Sequence, residues 1–181
     1  LIQYSFWVRA DIPDSDGNND TFLDDYYSVS VMDVEGLSWH ATTTGSADGS
    51  NVYWVGDEEV GGYLNSWAQY LDTPSISIPD GAKMTVDMKW SIESPEGAEE
   101  EFDNCIDGWD QAVVLISVDG GLNYSALEGS LPYNFQCGYG ANWNEVGMLP
   151  GWGGVQDWTN ISFDLQDYSG NDVMIRFAFF S

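Results

Sequence analysis

The sequence predicts an all-β protein, an antiparallel β-sandwich with long loops rich in Gly and aromatic residues. Three observations carry this expectation. Helical periodicity is almost absent. Short runs of alternating apolar and polar residues recur instead, bounded by Gly, Asp, Asn and Pro, as strands are. Finally, 43% of the residues are hydrophobic and 15% aromatic, which supplies a core and excludes a disordered acidic tail. At 181 residues the chain reads as a single domain.

The expected strands are residues 4–10, 26–32, 38–42, 52–55, 75–78, 82–92, 111–117, 158–164 and 173–180. In 82–92, Met84, Val86, Met88 and Trp90 alternate with Lys83, Thr85, Asp87 and Lys89, so one face is buried and one is wet. Both lysines of the chain lie on that wet face. The run 111–117 contains Val113, Leu115 and Ile116 and leads into Asp119-Gly120-Gly121, a hairpin signal. The last strand, VMIRFAFF, places Met174, Arg176 and Ala178 on one face, and Arg176 there requires a carboxylate or carbonyl partner. Trp90 and Trp158 are assigned to the core. Nine or so short strands separated by turn signals fit a sandwich. Two stretches resist strand assignment, the acidic residues 93–108 and the Gly- and aromatic-rich residues 128–155. Loops of that length in one domain are functional or pinned.

Thirty Asp and Glu against four Lys and Arg give a formal net charge of −26. Such a surface repels phosphate, so nucleic acid and anionic membranes are not expected partners, whereas metal cations are. No apolar run approaches the roughly 18 residues of a membrane helix. A saline exterior and calcium uptake both account for the acidity, and both place the protein outside the cell. The start at Leu1 reads as that of a mature or excised piece. Cys105 and Cys137 are an even pair without a CxxC motif or a neighbouring His, against zinc and thioredoxin-type chemistry. They are either a disulfide, worth about 3–4 kcal/mol for a closure of this span, or two buried free thiols. A disulfide would tie the two long loops together.

The sharpest local feature is the acidic turn containing Asp14, Asp16, Asn18, Asp20, Asp24 and Asp25. Calcium takes six to eight hard oxygens from a flexible loop. Asp14, Asp16, Asn18 and Asp20 occupy alternate positions, and Asp25 closes the loop. Gly17 stands two places too early for a true EF-hand, and the alternative is a solvated acidic turn. Tyr139, Trp143 and Trp152 are candidates for stacking on sugar rings, set against a role in anchoring their own loop. Sequons at Asn19, Asn123 and Asn160 permit glycosylation in a secretory host. His40 is the only histidine, no H-E-x-x-H is present, and no Gly-rich loop leads to a lysine. A non-catalytic role is expected.

An ordered set of motifs adds to this. Glu35-Gly36 is followed by Trp39. Then come Tyr53-Trp54-Val55-Gly56 with Tyr63, Leu71-Asp72-Thr73-Pro74-Ser75-Ile76, Asp110 to Gly121, and the run WTNISFDLQDYSGNDVMIRF from Trp158 to Phe177. The set resembles the MAM-like jelly-roll modules of secreted bacterial multidomain proteins, as found with immune-inhibitor-A-type metallopeptidases. The resemblance implies a sandwich of jelly-roll type with its main body in 34–181. It also implies a second cation site that combines Glu35 with Asp103, Asp107 or Asp110. Modules of this kind continue past "IRF" to a closing strand, and here residues 1–33 resemble that ending. Three arrangements satisfy this: closing strands wired at the front, parts of two repeats, or strands exchanged between neighbours.

Taken together, these readings predict an extracellular calcium-binding module for adhesion or assembly of a secreted or cell-surface protein. Its partners would be other copies or neighbouring repeats. A filament or sheath subunit that pairs through its front segment or through the edge 173–180, and a carbohydrate-binding module, are the alternatives.

Overall fold

The computed structural model describes residues 39–46, 48–57, 59, 61–96, 98 and 105–181. The expected strands 4–10 and 26–32, the acidic turn with Asp14, Asp16, Asn18, Asp20 and Asp25, the sequon at Asn19, and Glu35 and Asp103 lie outside the described residues. Within them the order is β1 (His40–Thr42), β2 (Val52–Trp54), β3 (Ala68–Asp72), β4 (Ile76–Ser77), β5 (Lys83–Ser91), β6 (Asp107–Gly108), β7 (Gln111–Ser117), β8 (Ser125–Ala126), β9 (Cys137–Gly138), α1 (Tyr139–Trp143), β10 (Val155–Asp164) and β11 (Asp172–Phe180), with one 3-10 turn at Gln166–Tyr168.

The protein is an all-β sandwich. The larger sheet runs β3-β11-β7-β8, with β4 also on β11; the smaller is the antiparallel pair β5–β10. Between them lie Val114, Ile116, Val173 and Ile175 from the larger sheet and Ile161 and Phe163 from the smaller. The expected pattern of 82–92 holds: along β5 exposed and half-buried residues alternate strictly. β7 lacks this alternation because both its faces are covered. Val114 and Ile116 face the smaller sheet, while Val113 and Leu115 pack with Ala141, Ala178 and Phe180 on the far side.

β11 overturns one expectation. It is paired on both sides, with β7 along its length and with β4 and then β3 opposite, so 173–180 is an interior strand and offers no edge to a neighbour. Its register supplies the partner that Arg176 requires. Arg176 stands opposite Asp72, its Nε and Nη2 donate to the two carboxylate oxygens at 2.7 Å each, and the guanidinium lies over the rings of Tyr70 and Tyr124 at 4.3 and 4.0 Å. A fork-to-fork pair stacked on aromatic faces is the geometry in which Arg is best held.

The expected hairpin joins β7 to β8. Asp119 organises its turn: Oδ1 accepts from the Ser117 hydroxyl and from the Leu122 and Asn123 amides, and Oδ2 from the Asn123 side chain. The Asn123 bonds, ahead of the others, hold its pKa down at about 2. Gly120 and Gly121 take φ of +74° and +88°, which only glycine adopts at little cost.

The stretch 128–155 is built into the sandwich rather than looping free. It contributes β9 and α1, and its Phe135, Gly151 and Trp152 form bridges to one another and to Ala112. Trp158 is not a core residue: it is half-buried, and its indole N–H donates to the Gly45 carbonyl at 3.1 Å. No described helix is long and apolar enough to cross a membrane.

Candidate functional site: an acidic and aromatic rim

Cys105 and Cys137 form a disulfide, with Cα atoms 6.1 Å apart and a sequence separation of 32. It clamps the parallel pair β6–β9, in which Asp107 stands opposite Cys137. The amides of Gln136 and Cys137 both donate to the Ile106 carbonyl, so the two long stretches are tied together as the sequence anticipated. The same neighbourhood explains several glycines. A Cβ on Gly108 would overlap the Phe135 ring, and one on Gly138 would overlap the Gln111 amide. Gln111 is itself fully buried, donating to the Leu149 and Pro150 carbonyls and accepting from the Ala141 amide.

Among the described residues this frame carries two buried carboxylates, Asp107 and Asp110, each 6% exposed. Asp107 accepts from the Tyr139 hydroxyl at 2.7 Å. Asp110 faces Tyr63, whose hydroxyl also accepts from the Glu93 amide at 2.9 Å. Burial raises the pKa of Asp110; the hydrogen bond with Tyr63 opposes the shift, and the nearby charge of Glu93 adds to it. Burial likewise pushes the Tyr63 hydroxyl up. Among the described residues the ion pairs are Lys89 with Asp157 and Arg176 with Asp72, so Asp110 faces no cationic side chain there. The donors around it are hard oxygens, the type that calcium takes.

Cys105, Asp107 and Cys137 also bring donor atoms within 4.8 Å of one another. With the two sulfurs bonded to each other, that group holds no thiolate and is not a soft-metal site in this state.

The aromatic candidates separate sharply. Trp152 is 1% exposed; it stacks on Trp90 and donates its N–H to the Pro132 carbonyl. It is a core residue, and its assignment to sugar binding is corrected. Tyr139 is 3% exposed, with its hydroxyl committed to Asp107, and is corrected likewise. Trp143 is 60% exposed, at the end of α1. Its ring lies 6.4 Å from that of Trp109, centroid to centroid and nearly parallel, and 5.7 Å from Tyr139. From the sequence alone Trp109, Tyr63 and Glu93 have no place in a site, although Tyr63 stands in one of the motifs and Glu93 opens the acidic stretch. For Trp109 a signal existed in its position between the two buried aspartates.

Asn123 and Asn160 are exposed, and each side-chain amide donates to a carboxylate, Asp119 and Asp87 respectively. His40 packs edge-on against Trp54, with ring centroids 5.5 Å apart. No protein-family model, curated protein or solved structure matches the chain.

Proposed function

We propose that this chain is a non-catalytic, calcium-stabilised module of a secreted or cell-surface protein, with the wiring of a MAM-like jelly roll, serving adhesion or assembly. The observation that supports it best is Asp110, a buried carboxylate with a raised pKa, no described cationic partner and a second carboxylate acting on it. In a chain of formal charge −26 a divalent cation offsets both burial and repulsion. Asp110 and Glu93 are the described carboxylates that would contribute to holding it, while Asp107 is bonded to Tyr139. A disulfide is retained in oxidising compartments, which supports the extracellular placement. The exposed Trp143 ring, backed by Trp109, favours a second reading, a glycan-stacking surface on the same module.

Calcium titration of the metal-free protein by calorimetry tests the proposal. A saturable isotherm is expected, weakened at least tenfold in Asp110→Asn; superimposable isotherms for the two proteins would contradict it. The pH dependence has a definite sign. With its pKa raised in the folded state, Asp110 binds its proton more tightly there than in the unfolded chain. Its contribution to stability is therefore present at low pH and lost as pH rises through the interval above the ordinary carboxyl value. The metal-free Asp110→Asn protein is expected to lack that loss.

A further inference from the structure

We infer that the outer edge of β5 is an assembly surface that takes a strand from a second copy of this chain; the inference rests on the assembly role proposed above and gives it a place.

Three observations converge on this edge. Among the described residues β5 is paired on one side only, with β10, and it is nine residues long. A strand of that length with one open side presents a row of unpaired amides and carbonyls, a template for another strand. The other margin of the small sheet differs, because the Ser130 amide donates to the Ser162 carbonyl and the Ser162 amide to the Ser130 hydroxyl. Secondly, the core is open on the β5 flank. Ile161 and Phe163 of β10 are fully buried, whereas Met84, Val86, Met88 and Trp90 of β5 pack against the same core but remain only partly buried. Burying the rest of those side chains removes apolar surface from water, which favours association. A strand added here would gain both its ladder and its alternate apolar contacts, the two sources of affinity and specificity in strand addition.

The third observation selects the occupant. The chain has two lysines, Lys83 and Lys89, and both stand on the exposed face of β5. Lysines on an edge discourage pairing between identical edges; Lys89 already pairs with Asp157 at 3.2 Å, and Lys83, in no ion pair among the described residues, favours an acidic partner. A chain of formal charge −26 is such a partner for itself. Within it, residues 24–32 read DDYYSVSVM: two aspartates, then the alternating run that the sequence marks as a strand, nine residues against the nine of β5.

Hydrogen exchange of the full chain across a concentration series, followed in parallel by sedimentation, tests this. Association with concentration is expected, together with at least tenfold slower exchange of amides in 83–91. The protection should be shifted to higher concentration in the double variant Lys83→Glu, Lys89→Glu and suppressed by excess synthetic peptide of residues 24–32. Three results would overturn it: a monomer at every concentration with 83–91 unprotected, protection already complete at the lowest concentration, where the edge is covered within one chain, or association that leaves 83–91 unprotected. The series is run with calcium and with chelator. Calcium-dependent stability without protection of 83–91 removes this inference and leaves the module reading, whereas protection indifferent to calcium does the reverse.

Discussion

Trp152→Ala is expected to lower the unfolding free energy by about 3–5 kcal/mol, the cost of truncating a large aromatic side chain in a packed core. The indole is 1% exposed and lies between Trp90, with centroids 5.3 Å apart, and Tyr133, at 4.4 Å. Its N–H, 3.0 Å from the Pro132 carbonyl, would leave that acceptor without its donor, and the exchange of backbone hydrogen bonds with Ala112 would lose its packing support. The void would open where the stretch 128–155 is joined to β7, so docking of that stretch should loosen along with the core. Urea denaturation measures the loss. A change below about 0.5 kcal/mol, within the range of surface substitutions, would mean that the ring is not a core residue. Trp143→Ala, at an exposed ring, serves as the matched control.

Opening the disulfide has the next largest effect. Reduction, or Cys105→Ser combined with Cys137→Ser, is expected to cost about 3–4 kcal/mol, the loop-closure entropy for this separation. The structural consequence is local as well as global. β6 and β9 are two residues each and hold the rim with few hydrogen bonds of their own, so Asp107 and Tyr139 depend on the cross-link for their placement. Thermal unfolding with and without a thiol reductant reads the effect. Equal midpoints for the oxidised and reduced protein would show that β7 and α1 hold the rim without it.

How far the sequence alone reached depended on whether the deciding interaction was local. β5 carries its burial in strict alternation, β11 alternates over its first half and is buried throughout its last three residues, and β7 is a nearly continuous buried run, so the apolar pattern finds all three. β3 escaped because AQYLD has no two-residue pattern; it is a strand because β11 presents a ladder to it, with Asp72 set opposite Arg176. β6 and β9 likewise exist through a cross-link between distant segments. Trp143 and Trp152 are indistinguishable as letters in a Gly-rich stretch. What separates them is that Trp152 bridges to Ala112 in the sheet, while Trp143 ends a five-residue helix facing solvent. The candidate cation site was half legible. The family resemblance pointed to Asp107 and Asp110, but Tyr63 and Glu93 reach Asp110 only through the fold. Charge count alone could not tell these two buried carboxylates from the solvated ones around them.

Cation dependence is the central claim, and thermal unfolding of the metal-free chain with calcium added stepwise tests it most directly. Binding to the folded state alone raises the melting temperature progressively with free calcium. The expected result is such a rise, by many degrees, reversed by chelator and diminished in Asp110→Asn. A melting temperature that is identical in chelator and in saturating calcium would contradict the account.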